Sequence, residues 1–209
     1  MPGVNAFDKN VEQYEQWFVD HPFAYVSELH AVRELLPKSG RGIEIGIGTG
    51  RFAAPLGIKL GIEPSRAMEK IARKKGLEVI HGVAEKLPFK DQEFDFALMV
   101  TTVCFLDDID LAFHEVFRVL KPHGAFVIGF VDRSSPIGKS YEERKQDSLF
   151  YRDATFYAVD DLLRHLTNAG FKRFSFRQTL FGPVADMQEP APVAEGHGKG
   201  SFVVIKAEK

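Results

Sequence analysis

The residues best placed to do chemistry lie in Gly42-Ile43-Glu44-Ile45-Gly46-Ile47-Gly48-Thr49-Gly50-Arg51-Phe52. Three glycines spaced by two let a ligand approach the backbone closely, and the residues after them can open a helix with unpaired N–H groups. Ile43, Ile45 and Ile47 alternate as one face of a buried strand does. A strand, a glycine turn and a helix start form the place where parallel α/β sheets hold nucleotide-like ligands. Glu44 is an acid inside a strand that should be apolar on both faces, so it calls for a polar partner. Glu63 ends Leu60-Gly61-Ile62-Glu63, where a second-strand carboxylate can hold two ribose hydroxyls. Pro64 adds a flat apolar face for a base, and Ser65 can cap the next helix. The spacing Gly46-x-Gly48-x-Gly50 is one residue short of the dinucleotide fingerprint Gly-x-Gly-x-x-Gly.

Several elements must position these groups. Residues 9–36 read as helical, with Tyr14, Trp17 and Phe18 on one face and a break at His21-Pro22. The second of these helices carries Phe23, Val26, Leu29, Val32, Leu35 and Leu36, and Pro37 stops it. Strands follow at 60–63, 77–81, 94–100 and 125–130, separated by helices at 66–75 and 108–120. That rhythm gives a parallel sheet covered on both faces. Lys121-Pro122-His123-Gly124 reads as the turn into the fifth strand. Residues 133–153 read as a solvated polar helix, and a further helix spans 160–166. Strands at 171–177 and 201–205 flank a Pro- and Gly-rich loop at 182–200, so these two should pair antiparallel.

The chain has 209 residues, enough for one core burying about 70% of the unfolded surface. Its net charge of −2 gives no general pull towards nucleic acid or anionic membranes. The single cysteine, Cys104, precludes an internal disulfide and suits a reducing compartment. Met1-Pro2-Gly3-Val4-Asn5 does not read as a signal peptide, and no apolar run approaches a membrane span. The expected setting is the cytoplasm. The seven histidines are scattered without paired-ligand spacing, so no metal site is expected.

Taken together, Glu44-Ile45-Gly46-Ile47-Gly48-Thr49-Gly50, Glu63-Pro64-Ser65, Ala84-Glu85-Lys86-Leu87-Pro88-Phe89, Phe94-Asp95 and Arg118-Val119-Leu120-Lys121-Pro122 resemble the class I S-adenosylmethionine (SAM) methyltransferases, in their small single-domain branch. The match runs from about Ile43 to Phe171. It implies an α/β three-layer Rossmann-like sandwich whose seven-stranded, mostly parallel sheet has an antiparallel last strand. A single domain 1–209 would then comprise a helical cap or lid at 1–38 and a core at 39–209.

The resemblance also implies a cofactor site. Gly46, Ile47 and Gly48, followed by Thr49 and Gly50, would line the methionine part of SAM, with Glu44 bonding its amino group directly or through water. Glu63 would hold the ribose, Pro64 would pack on adenine with Ser65 beside it, and Val83, Ala84 and Glu85 would surround the adenine edge. Val100 and Thr101 would pass beneath the sulfonium. Many relatives carry an acid at Val83, so Glu85 or a backbone carbonyl must substitute here. His123 replaces the first glycine of the usual Lys-Pro-Gly-Gly turn, a local change far from the cofactor.

Acceptor contacts are expected from Tyr14, Trp17 and Phe18 in the cap, and from Thr102, Phe105, Phe130 and Arg133 after strands four and five. The acceptor would be a small molecule methylated at N, O, S or C by in-line displacement, leaving S-adenosylhomocysteine. No nucleic-acid or membrane partner is expected. Such chemistry needs no nucleophilic side chain, so Cys104 reads as a small apolar residue. If the acceptor must lose a proton, Tyr14, His21, His30, Asp132 and Tyr141 are the groups to consider. An NAD(P)-linked oxidoreductase is the competing enzyme, disfavoured by the glycine spacing and the antiparallel closing strand. A SAM-binding protein without catalysis is the non-enzyme alternative.

Overall fold

The computed structural model describes residues 4–209, so the first three residues of the expected 1–38 cap lie outside it. Three helices precede the sheet: α1 (Val4–Lys9), α2 (Val11–Asp20) and α3 (Pro22–Leu35). The break between the last two falls at His21-Pro22, with the proline at the first turn of α3, where its missing N–H costs nothing. The opening helix was not anticipated.

The parallel core consists of β1 (Gly42–Ile45), β2 (Leu60–Glu63), β3 (Glu78–His81), β4 (Phe94–Val100) and β5 (Leu120–Val131). It is interleaved with α4 (Ala53–Leu56), α5 (Arg66–Lys74) and α6 (Ile109–Val119). Ser65 caps α5 by accepting from the Met68 N–H, and Asp108 caps α6 by accepting from Leu111. After β5 come α7 (Pro136–Arg144), α8 (Val159–Asn168), β6 (Lys172–Thr179), β7 (Ala194–Glu195) and β8 (Phe202–Glu208).

Among the described residues the sheet has eight strands in the order β3-β2-β1-β4-β5-β8-β6-β7. β1 to β5 run parallel, and β8 inserts antiparallel between β5 and β6. This is the expected mixed α/β sheet with one strand more than the seven anticipated. The addition, β7, pairs Ala194 and Glu195 with Gln178 and Arg177 at the edge. Two residues are too few for any alternation to show in the sequence.

The Lys121–Gly124 turn also resolves differently. β5 begins at Leu120, opposite Phe94, but the next pairing joins Phe96 to Ala125, so the intervening residues bulge out of the strand. His123 takes a left-handed backbone there, with φ +64.

Two apolar cores flank the sheet. One packs Phe113, Val116, Leu162 and Leu166 of α6 and α8 against Ile43, Met99, Phe126 and Ile205. The other sets Ala31, Val32 and Phe52 against Leu98, Val127, Phe202 and Val204. α3 lies across β5, β6 and β8, which fixes the rotation of the whole N-terminal segment over the sheet.

Candidate functional site

The carboxyl ends of β1, β2, β4 and β5 meet on one side of the sheet, where a parallel α/β fold presents its ligand crevice. The first glycine turn requires backbone that other residues resist: Gly46 has φ +70 and Gly48 has φ +55. A Cβ at Gly46 would lie 2.4 Å from Thr102, and one at Gly48 would meet the Tyr14 hydroxyl at 3.4 Å. The Gly48 N–H donates to Glu63 Oε2 at 2.8 Å, and the Ser65 N–H donates to Glu63 Oε1 at 2.9 Å. Glu63 is thereby held between the two loops with lone pairs to spare on both oxygens. Burial pushes its carboxyl up to about 7, against the lowering effect of those two N–H bonds.

Glu44 is 2% exposed, and its Oε2 has no partner among the described residues. Burial raises its pKa well above the usual range; a bond from the Ala53 N–H opposes this and the charge of Glu63 adds to it. The backbone at Thr101 is also left-handed, at φ +50, its N–H bonded to Gly129 O. That kink turns Thr102 back so that its hydroxyl bonds Val100 O and Gly46 O.

These loops floor a cavity of about 590 Å³, within the range of about 300–1,000 Å³ typical of small-molecule sites. Gly46, Gly48, Glu63, Pro64, Ala84, Val100 and Thr101 line it, as do Tyr14, Trp17, Phe18, Thr102 and Phe105. The other residues singled out in the sequence lie off its wall. Glu44 and Ile47 sit behind the turn, Ile47 wedged against Gly61. Thr49 donates to Glu15, Gly50 backs onto Leu77, and Ser65 donates to Asp8. Val83 is half-buried beside the crevice, while Glu85 turns away to accept from the N–H groups of Asp107 and Asp108. Phe130 lines a separate void of about 20 Å³ next to Cys104. Arg133 pairs with Asp161 at 2.7 Å.

The N-terminal helices grip both cofactor-side loops. Asp8 Oδ1 accepts from Ser65 Oγ at 2.6 Å and from the Ala67 N–H at 3.1 Å. Glu15 accepts from Thr49 and, bidentately, from Arg51 at 3.1 and 2.5 Å. Arg51 also stacks over Phe18, 4.8 Å from the ring centre. Burial raises the Glu15 carboxyl, but the bonds from Arg51 and Thr49 outweigh it and hold the group below its ordinary value.

Of a second wall, only Tyr141 is named from the sequence. Residues 133–153 were expected to be solvated, yet Ser140 and Tyr141 of α7, and Ser148, Phe150 and Tyr151 beyond it, line the cavity. Phe150 stacks on Phe7 at 5.1 Å, and Tyr151 stacks on Phe105 at 5.7 Å. The third wall is α3, through Glu28, which is 5% exposed. Of the apolar residues read on this helix, Leu29, Val32 and Leu35 are buried. Ala24, Ser27 and Ala31 are buried beside them, while Phe23 is 36% exposed.

Of the five proton-accepting groups considered, Tyr14 and Tyr141 reach the cavity. Burial raises both, Tyr141 to about 12, so they remain hydroxyl donors at neutral pH. His30 is exposed, His21 stacks on Trp17, and Asp132 accepts from the Ser134 N–H. Burial pushes the Cys104 thiol up to about 12, which removes it as a nucleophile.

A methyltransferase-domain family model matches residues 43–128. The crystal structure of a SAM-dependent methyltransferase from Thermotoga maritima, described as a possible histamine N-methyltransferase, superposes with a TM-score of 0.96 and 52% identity, covering 98% of this chain and 99% of that one. A Methanocaldococcus jannaschii protein is 46% identical over 206 residues, covering 99% of this chain and 100% of its own length. A Mycobacterium tuberculosis protein is 36% identical over 188 residues, and the match spans 66% of it.

The site suits this company. Glu28, Glu44 and Glu63 are all buried at or behind the cavity, while among the described residues no Lys, Arg or His is buried. An interior with that excess of acid complements a ligand carrying a sulfonium and an amino group. Among the described residues no helix is long and apolar enough to cross a membrane. The glycine turn, the tethered Glu63 and a relative alike from end to end make this chain a class I SAM-dependent methyltransferase, with SAM as its cofactor.

Proposed function

We propose that the chain transfers the methyl group to a small molecule, and that it works as one domain in which residues 1–38 cap the core at 39–209. The observation that carries this reading is a cavity of about 590 Å³, sized for a small molecule, whose two walls meet where Phe7 stacks on Phe150. The net charge of −2 argues in the same direction against nucleic acid. A single buried cysteine suits work in the cytoplasm. An amine is among the acceptors this reading admits, in keeping with the description of the Thermotoga maritima protein.

Gly46, Ile47 and Gly48, with Thr49 and Gly50 behind them, would cradle the methionine part of SAM, and Glu44 would answer its amino group. Glu63 would accept from the ribose hydroxyls, Pro64 and Ala84 would flank adenine with Ser65, Val83 and Glu85 behind, and Val100 and Thr101 would pass beneath the sulfur. When bound, SAM supplies a methyl group already activated by a positively charged sulfur. The protein's part is to orient and to exclude water. Tyr14, Trp17, Phe18, Thr102 and Phe105 fix an acceptor and keep the cavity dry, and orientation of this kind can lower a barrier by roughly 7–11 kcal/mol. Asp8 and Glu15 hold the cap on the cofactor loops, so ligand exchange requires those bonds to open.

The test is a panel of small amines, phenols, thiols and carbon acids incubated with SAM, with S-adenosylhomocysteine measured directly. Turnover on one of these classes, and none on RNA or peptide, is the expected result. SAM binding without product on any small molecule would overturn the reading.

A further inference from the structure

The carboxyl of Glu28 has no counterpart in the cofactor reading. It lies on α3, lines the cavity and is 5% exposed. Among the described residues it makes no hydrogen bond or ion pair, and the sole influence on its ionisation is burial, which pushes it up to about 8. A structural acid would be expected to have partners, because an unpaired buried carboxyl is costly. Its charge reaches Tyr25 on the same helix, Tyr141 of α7, and Tyr151 beyond it, all neutral at physiological pH. The charged groups on the facing wall are Arg144 and Asp147. Arg144 is exposed, and the one side-chain bond it makes among the described residues is to the Ser140 hydroxyl, not to Glu28. Trp17, Tyr141 and Tyr151 supply aromatic faces on the same cavity. A lone buried carboxyl beside aromatic rings is the chemistry that selects an ammonium group.

We propose that the methyl acceptor is a small amine, that Glu28 binds its ammonium form, and that Glu28 then takes the proton the nitrogen must lose. This rests on the small-molecule reading above and names its substrate class. The balance closes. The N–H proton passes to the carboxylate, leaving a neutral amine and a neutral acid. The freed lone pair forms the N–C bond as the S–C bond breaks, its electrons remaining on sulfur as a thioether. The product departs as a methylammonium ion, and the carboxyl proton returns to water. Such an acid needs an affinity for protons between that of an ordinary carboxylate and that of the amine, which its burial provides.

The chain contains one tryptophan, Trp17, and it lines the cavity, so acceptor binding can be read without catalysis. Phenethylamine and its uncharged isostere 2-phenylethanol are titrated against tryptophan fluorescence, with and without SAM. The expected result is at least a tenfold preference for the amine, abolished in Glu28→Gln while SAM affinity by calorimetry stays within twofold. Partial recovery in Glu28→Asp is expected. In the wild-type protein the preference should fall as pH drops from 8 to 6, where the acid takes up its proton and the amine keeps its charge. That series serves even if the variant fails to fold.

Equal binding of amine and alcohol, or an unchanged preference in Glu28→Gln, would overturn the assignment. Methylation of phenols or thiols at full rate in that variant would overturn it too while leaving the small-molecule reading intact. Product formation on no small molecule at all would remove the reading beneath it.

Discussion

The two halves of the cavity are built on different principles. On the cofactor side the shape comes from backbone: two left-handed glycines, a kinked Thr101, and a Glu63 held by main-chain N–H groups from both flanking loops. On the acceptor side it comes from side chains, carried by α1–α3 and by residues 136–151, meeting as Phe7 on Phe150 and Tyr151 on Phe105. Backbone-built surfaces tolerate few sequences, whereas side-chain walls can change without disturbing the fold. On the proposed assignment, binding of the shared cofactor and choice of the particular acceptor fall to different parts of the cavity.

The harshest way to break the contrast is Gly48→Val. A Cβ there combines a φ of +55 with the Tyr14 hydroxyl at 3.4 Å, so SAM binding should fall at least a hundredfold by calorimetry while far-ultraviolet circular dichroism is unchanged. Near-native affinity would place the ligand elsewhere. Next comes Glu63→Gln, which keeps the shape and removes the charge. Charge-assisted bonds are worth about 1.5–3 kcal/mol, so SAM should bind about tenfold or more weakly.

The same residue predicts a pH effect. With burial holding its carboxyl up to about 7, the ionised form that accepts hydroxyl bonds is lost below that pH. SAM affinity should therefore weaken from pH 8 to pH 6 in the wild-type protein and stay flat in Glu63→Gln. A flat wild-type profile would argue against the ribose role.

On the acceptor side, Tyr151→Leu should shift the amine preference severalfold and leave SAM affinity alone; matched losses of both would erase the proposed separation. The mildest change lies in neither half. His123 is exposed with φ +64, so His123→Gly should raise stability by roughly 1 kcal/mol, about 2–4 °C in melting temperature, with turnover untouched.

The same division governs what the sequence revealed. The glycine turn, the acid ending the second strand and the α/β rhythm could be read directly, because backbone constraints leave fixed residue types at fixed spacings. Phe7, Tyr151 and Phe150 could not be read, since nothing local says that residues so far apart will touch. Glu28 left a faint signal: Ala24, Ser27 and Ala31 form a small-residue stripe at helical spacing with one acid inside it. The sequence alone assigns no face to this helix, and its docking on the sheet decides which residues are buried. Glu85 shows a contact of the reverse kind. Its place in the motif suggests the adenine edge, and a bond that no local pattern announces ties its Oε1 to the loop before α6.

The docking of α3 has a consequence for how the protein is made. The helices near the start of this sequence rest on β5, β6 and β8, and are pinned by Ala191 on Ser27 and by Arg177 on Glu34. On a ribosome adding about 5–20 residues per second, roughly 10–35 s separate the emergence of Glu28 from that of β8. Through most of that interval α3 can reach at most β5 and lacks β6 and β8, the strands it contacts most. The acceptor pocket is therefore among the last parts of the nascent chain to form, and a translational pause before β8 would lengthen the exposure of those helices to chaperones.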